Sequence, residues 1–145
     1  MNSDPLACPA VFVRGRSVPN HSIKIVPAST GEGAAFHPEV QGLRPGDPLP
    51  AQQEDIVTWK NATEDTHQPW PADPNYVPLP DVDRNDPNYL SDPIPPGHTS
   101  ATNYGVAPPS GSPLAITWTV YYCCKLHPTV VTERGTIAAN IPPLN

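Results

Sequence analysis

Branched and aromatic side chains are concentrated in four short stretches of the chain, at residues 22–26, 55–60, 114–124 and 136–141. The first of them, "SIKIV", alternates between polar and apolar positions, and each is bounded by Pro, Gly, Asn or Asp. Because successive side chains of an extended strand face opposite sides, these patterns predict β-strands. Short strands separated by turn residues favour an all-β sandwich or barrel over a helical bundle.

A proline-rich segment interrupts this pattern at residues 69–96. Its repeated Asp-Pro and Pro-Pro steps lack the amide donors that a central strand needs, so we expect a surface insert. A loop of this length in a compact domain is either functional or partly disordered. The aromatic residues Trp70, Tyr76 and Tyr89 favour an ordered flap.

The chain of 145 residues is long enough for one domain with its own core, and we expect a single domain over residues 1–145. Residues 1–20 are expected to form an irregular extension before the first strand. The 23 prolines leave few segments long enough for helices, which again favours an all-β fold.

The formal net charge of −6 disfavours nucleic acid as a partner, since proteins that bind it gather Lys and Arg to neutralise phosphates. No apolar run approaches the roughly 20 residues of a membrane helix, so no membrane span is expected. The first residues lack the charged and then apolar pattern of a signal peptide, so none is expected in the chain as given. If the protein is exported, as expected below, its signal sequence has been removed from the chain as given.

Two adjacent cysteines occur near the end of the longest predicted strand. By alternation, Cys124 belongs to the bulky apolar row, which ought to face the core, and Cys123 to the opposite row. The apolar row consists of Ile116, Trp118, Val120, Tyr122 and Cys124. Cys123 is therefore expected on the outer face, where a free thiol and a disulfide with Cys8 are both compatible with the sequence.

A buried cysteine is often only a small apolar side chain, but His127 lies three residues after Cys124. A Cys-x-x-His step past a strand end can present sulfur and imidazole to one metal ion, and Pro128 stiffens that turn. A zinc site would need a second such pair of ligands, which the sequence lacks. His67, after the strand at residues 55–60, completes a His, Cys, His set that suits copper in electron-transfer sites.

Four segments, in order, resemble the cupredoxins, the blue-copper family that includes plastocyanin, amicyanin and azurin. They are "FHPEVQGLRPGD" (36–47), "DIVTWKNATEDTHQ" (55–68), "DPIPPGHTSATNYGV" (92–106) and "YYCCKLHP…GTI" (121–137). The resemblance implies a Greek-key β-sandwich that binds one copper ion, cycling between Cu(I) and Cu(II), through His67, Cys124 and His127.

It also implies one-electron transfer, rather than enzyme catalysis, through the exposed edge of His127. We therefore expect an extracytoplasmic location, periplasmic or secreted, and a redox partner protein that docks near His127. An apolar rim of Pro69, Trp70, Leu126, Pro128, Val130 and Val131 is the predicted docking patch. Alternatives are a copper carrier or storage protein, or an open copper site with a role other than electron transfer.

The sequence departs from the family at the fourth ligand position. Cupredoxins usually place an axial methionine after this histidine, but the only methionine here is Met1. Val130, Thr132, Glu133 and water are the candidates for that position. A valine would raise the reduction potential, whereas a carboxylate would favour Cu(II) and lower it. The spacing from Cys124 to Gly135 resembles that of nitrosocyanin, a red-copper relative.

Overall fold

The computed structural model describes residues 19–29, 33–108 and 116–141. These residues form eight β-strands, and none of them lies in a helix that could cross a membrane. The strands are β1 (Asn20–Pro27), β2 (Ala34–Pro38), β3 (Leu49–Gln52), β4 (Ile56–Asn61), β5 (Pro69–Ala72), β6 (Tyr104–Gly105), β7 (Thr117–Cys124) and β8 (Arg134–Asn140). Cys8 and most of the predicted N-terminal extension lie outside the described residues.

The strands pair into two four-stranded sheets, with the orders β2-β1-β4-β6 and β3-β8-β7-β5. Two pairs, β1 with β4 and β3 with β8, are parallel, and the other pairs are antiparallel. Consecutive strands repeatedly cross from one sheet to the other. The prediction of an all-β Greek-key sandwich is confirmed.

The core lies between the two sheets and is held together by aromatic side chains from both. Tyr122 of β7 packs edge-on against Phe36 of β2, with ring centroids 4.8 Å apart, and against Trp59 of β4, at 5.5 Å. All three side chains are at most 1% exposed. Large buried aromatic groups in this geometry stabilise the sandwich both through area and through ring contacts.

The four predicted strands are present, and none of their ends is displaced by more than three residues. The predicted inward row is correct at Tyr122 and Cys124, which are buried, and at Trp118 and Val120, which pack against the core. It is wrong at Ile116, which is 77% exposed and lies just before β7 begins.

The sequence predicted that the segment 69–96 runs over the surface. This prediction is wrong at both ends of the segment. Its first four residues form β5, which is buried and pairs with β7 at the edge of its sheet. The prolines are tolerated because an edge strand leaves one side of its backbone unpaired. Near the other end, Leu90 and Ile94 enter the core. Between these ends, Tyr76 packs on Tyr121 of β7 and Tyr89 on Trp70.

The burial of Cys123 by this segment was not predicted from the sequence, which placed Cys123 on the outer face. Its side chain does project from the face of β7 opposite to the core, but it is only 1% exposed because the segment covers that face. Trp70 and Arg134 flank it on the neighbouring strands. Burial, together with the neighbouring Cys124 thiol, raises the pKa of Cys123 to about 11, so this thiol stays protonated at neutral pH.

Candidate metal centre

Four side chains with metal-binding atoms converge at one end of the sandwich: His67, Cys124, His127 and Glu133. One ligand atom from each lies within 4.8 Å of all the others. The Cys124 Sγ atom lies 3.8 Å from His67 Nδ1 and 3.4 Å from His127 Nδ1. Oε1 of Glu133 lies 3.3 Å from His67 Nδ1 and 3.0 Å from His127 Nδ1.

Cys124 is placed by the end of β7. Its side chain continues the inward row of that strand and is fully buried. The backbone N–H of Gln68 donates a hydrogen bond to Sγ at 3.4 Å. A donor aimed at the sulfur stabilises its thiolate form, the form that binds metals.

His67 is held by backbone pairing to a distant part of the chain. Its N–H donates to the Ile94 carbonyl at 3.2 Å, and the Ile94 N–H donates back to the His67 carbonyl at 2.7 Å. The buried Asn61 amide strengthens this arrangement, because Nδ2 donates to the carbonyls of Ile94 at 2.9 Å and Asp65 at 2.7 Å. This role of Asn61 was not predicted from the sequence, although a polar residue at an inward position of β4 is a signal for it.

The loop between β7 and β8 is built from consecutive tight turns. Backbone N–H groups of His127, Val130 and Glu133 each donate to the carbonyl three residues earlier, all at 3.1 Å. This repeat of three returns the chain to the same side at each step. It brings His127 and Glu133 alongside Cys124, whose own N–H donates to the Glu133 carbonyl at 3.2 Å.

The cluster is electrostatically suited to a cation. Burial lowers the pKa of His67, but its contacts with Cys124 and Glu133 outweigh burial and raise it to about 9. For Glu133, burial raises the pKa, but the contacts with His67, the Ala34 N–H and His127 outweigh this and lower it. A thiol and a carboxylate thus surround two imidazole nitrogens, where positive charge is stabilised. A bound metal cation would supply that charge in place of protons.

The four side chains differ in their access to solvent. His67 and Glu133 are each 2% exposed, whereas the His127 side chain is 35% exposed. Leu126 and Val131 are exposed on the same loop, as predicted for an apolar rim. Pro69 and Trp70 do not belong to that rim, because β5 buries both of them.

The structure therefore brings the predicted residues His67, Cys124 and His127 together. Glu133, one of the candidates for the fourth position, lies close to both histidines through Oε1. The separation of the two cysteines also agrees with the prediction, since Cys124 joins this cluster and Cys123 does not. Copper ligation by these residues stays a prediction.

No protein-family model and no curated protein sequence matches the chain. The structure, however, is similar to a solved purple cupredoxin from Nitrosopumilus maritimus. The match has a TM-score of 0.52 and 15% sequence identity, and it covers 82% of this chain and 98% of that one. The chain has the cupredoxin fold.

Other solved structures match this cupredoxin-like chain with lower TM-scores. Plastocyanin from Dryopteris crassirhizoma is 14% identical, with a TM-score of 0.45, over 82% of this chain and 99% of that one. A multicopper oxidase from Aquifex aeolicus is 12% identical, with a TM-score of 0.47, over 84% of this chain and 26% of that one. The match to the purple cupredoxin confirms the cupredoxin resemblance noted in the sequence as a shared fold.

Proposed function

We propose that this cupredoxin-like protein binds one copper ion and carries single electrons. The proposed ligands are His67, Cys124 and His127, with Glu133 as the fourth. The observation that carries the proposal is the convergence of their four ligand atoms within 4.8 Å at a buried end of the sandwich. A copper ion bound there would accept and release one electron by alternating between Cu(I) and Cu(II).

The chemistry of the ligand set favours copper over other metals. A soft thiolate suits Cu(I), imidazole suits both oxidation states, and a carboxylate adds a hard ligand that favours Cu(II). Zinc accepts similar ligands, but among first-row divalent ions nitrogen and sulfur sites bind copper most tightly. Two of the proposed ligands are held in place by hydrogen bonds. The Gln68 N–H donates to Cys124, and His67 pairs with the Ile94 backbone, which Asn61 holds in turn. These bonds keep rearrangement of the site small when its charge changes.

His127 is the proposed point of electron exchange. It is the ligand with a solvent-exposed edge, and the exposed Leu126 and Val131 lie beside it in the sequence. A redox partner protein that docks there would bury these apolar side chains and approach the imidazole directly. We propose that this exchange takes place outside the cytoplasm and that the protein is not itself an enzyme.

The proposal is tested by loading the protein with Cu(II) and recording its visible and electron-paramagnetic spectra. A strong thiolate-to-copper absorption is expected in the wild type, absent in Cys124→Ser and retained in Cys123→Ser. The two variants form a matched pair, because they remove adjacent and almost equally buried sulfur atoms. A band that survives in Cys124→Ser would exclude the proposed site.

Voltammetry of the same protein separates electron transfer from a role in copper transport or storage. An electron carrier is expected to give a reversible one-electron wave with the metal retained in both oxidation states. Tight binding of Cu(I) without a reversible wave would instead support the carrier or storage function.

A further inference from the structure

The two carboxylate oxygens of Glu133 have different partners. Oε1 faces His67 and His127, while Oε2 accepts a hydrogen bond from the backbone N–H of Ala34 at 2.9 Å. Ala34 is the first residue of β2 and is separated from Glu133 by 99 positions in the sequence. A buried carboxylate needs such partners, because an unpaired charge in the interior is costly.

Gly33, which precedes Ala34, lies against the same carboxylate. Its φ angle is +73°, a conformation that side chains other than glycine adopt rarely. A Cβ atom at this position would lie 2.8 Å from Glu133 Oε2 and 2.5 Å from Val130 Cγ1. Both distances are shorter than a normal contact, so any side chain at position 33 has to displace the side chains of Val130 and Glu133.

We propose, on the basis of the copper site proposed above, that Gly33 and Ala34 position Glu133 as a ligand that uses one oxygen only. The Ala34 N–H occupies Oε2 and leaves Oε1 for the copper ion. Gly33 allows this approach because it has no side chain. Gly33 and the backbone of Ala34 thereby set how strongly the carboxylate favours Cu(II).

The reduction potential of the copper-loaded protein is the measurement that tests this role. Glu133→Gln is expected to raise the potential, since a neutral amide stabilises Cu(II) less than a carboxylate does. Gly33→Ala is expected to shift the potential in the same direction and to change the visible and electron-paramagnetic spectra. The matched control is Gly42→Ala: Gly42 also has a positive φ, +90°, but a Cβ there meets nothing within 4 Å. This control should keep the wild-type potential.

A double-variant cycle separates positioning of Glu133 from a general structural effect. If Gly33 acts through Glu133, adding Gly33→Ala to Glu133→Gln should produce little further shift. Shifts that simply add would overturn the proposal, as would a wild-type potential in Gly33→Ala alongside a shifted one in Glu133→Gln.

Gly33→Ala can also fail to fold, because of the close contact with Val130. In that case the double variant Gly33→Ala/Val130→Ala removes the contact at Cγ1 and keeps the one at Oε2, with Val130→Ala alone as its reference. A potential equal to that of the reference would overturn the proposal. Failure of the proposed copper site is recognised by a different measurement. In that case the thiolate-to-copper absorption would persist in Cys124→Ser.

Discussion

The opposite faces of β7 carry two adjacent cysteines that are buried to nearly the same extent. The chemical surroundings of the two side chains differ. Cys124 is 0% exposed and Cys123 is 1% exposed. The inner face places Cys124 beside two imidazoles and a carboxylate, whereas the outer face places Cys123 between Trp70 and Arg134. Burial alone therefore does not distinguish a functional cysteine from a structural one. The neighbouring ligand atoms do.

The same difference separates the two tyrosines that precede the cysteines. Tyr122 on the inner face joins the two sheets through Phe36 and Trp59. Tyr121 on the outer face contacts Tyr76 of the covering segment. The inner face thus determines whether the sandwich folds, and the outer face determines whether the segment lies on it.

The largest expected effect is on the inner face. Tyr122→Ala should lower the free energy of unfolding of the copper-free protein by about 4 kcal/mol, because it leaves a large cavity between the sheets. Tyr121→Ala, the matched variant on the outer face, should lower it by about 1 kcal/mol through the loss of one ring contact. Urea unfolding measures both. Equal losses would mean that the covering segment contributes as much to the fold as the core does.

A smaller effect is expected when the cover of the outer face is removed. Trp70→Ala should lower the free energy of unfolding by about 3 kcal/mol, since the indole is 5% exposed and also lies under the Lys125 ammonium group.

In the copper-loaded protein, Trp70→Ala should also expose Cys123 to alkylation, read by mass spectrometry, and leave the copper absorption at its wild-type wavelength. Trp70→Phe keeps an aromatic ring at the position paired with Cys123 and is the control. A shifted band in Trp70→Ala with an unreactive Cys123 would contradict the separation of the two faces.

The smallest effect concerns the close approach of β8 to Tyr122. A Cβ atom on Gly135 would lie 2.3 Å from the Tyr122 ring, so Gly135→Ala should destabilise the protein by about 2 kcal/mol. Gly105→Ala is the control, because a Cβ there meets nothing within 4 Å, and it should change stability by less than about 0.5 kcal/mol. Thermal unfolding of both variants gives the comparison; no difference between them would show that Tyr122 can move aside freely.

Local sequence signals predicted four of the eight strands that the structure describes and assembled three of the four clustered residues. The period of two selected Cys124 over Cys123, and the spacing of three selected His127. Both signals lie within one strand and the turn after it. His67 was added only because it completes a His, Cys, His set, since its approach to Cys124 depends on pairing with Ile94 across the proline-rich segment.

Glu133 could be named only as one of several candidates. Its orientation depends on the series of turns after β7 and on the Ala34 N–H, which belongs to a distant hairpin. The burial of Cys123 was missed for a related reason. No pattern near residue 123 indicates that Trp70 and the following segment fold back over it.

The pairing of His67 with Ile94 has a consequence for how this protein can vary in evolution. Since two backbone hydrogen bonds join the ends of the segment between them, its length is decoupled from the position of His67. Lengthening such a closed loop costs little entropy, about 0.6 kcal/mol for each doubling. The exposed part of this segment is therefore a natural place for insertions, and a foreign peptide grafted there should leave the neighbouring ligand geometry intact.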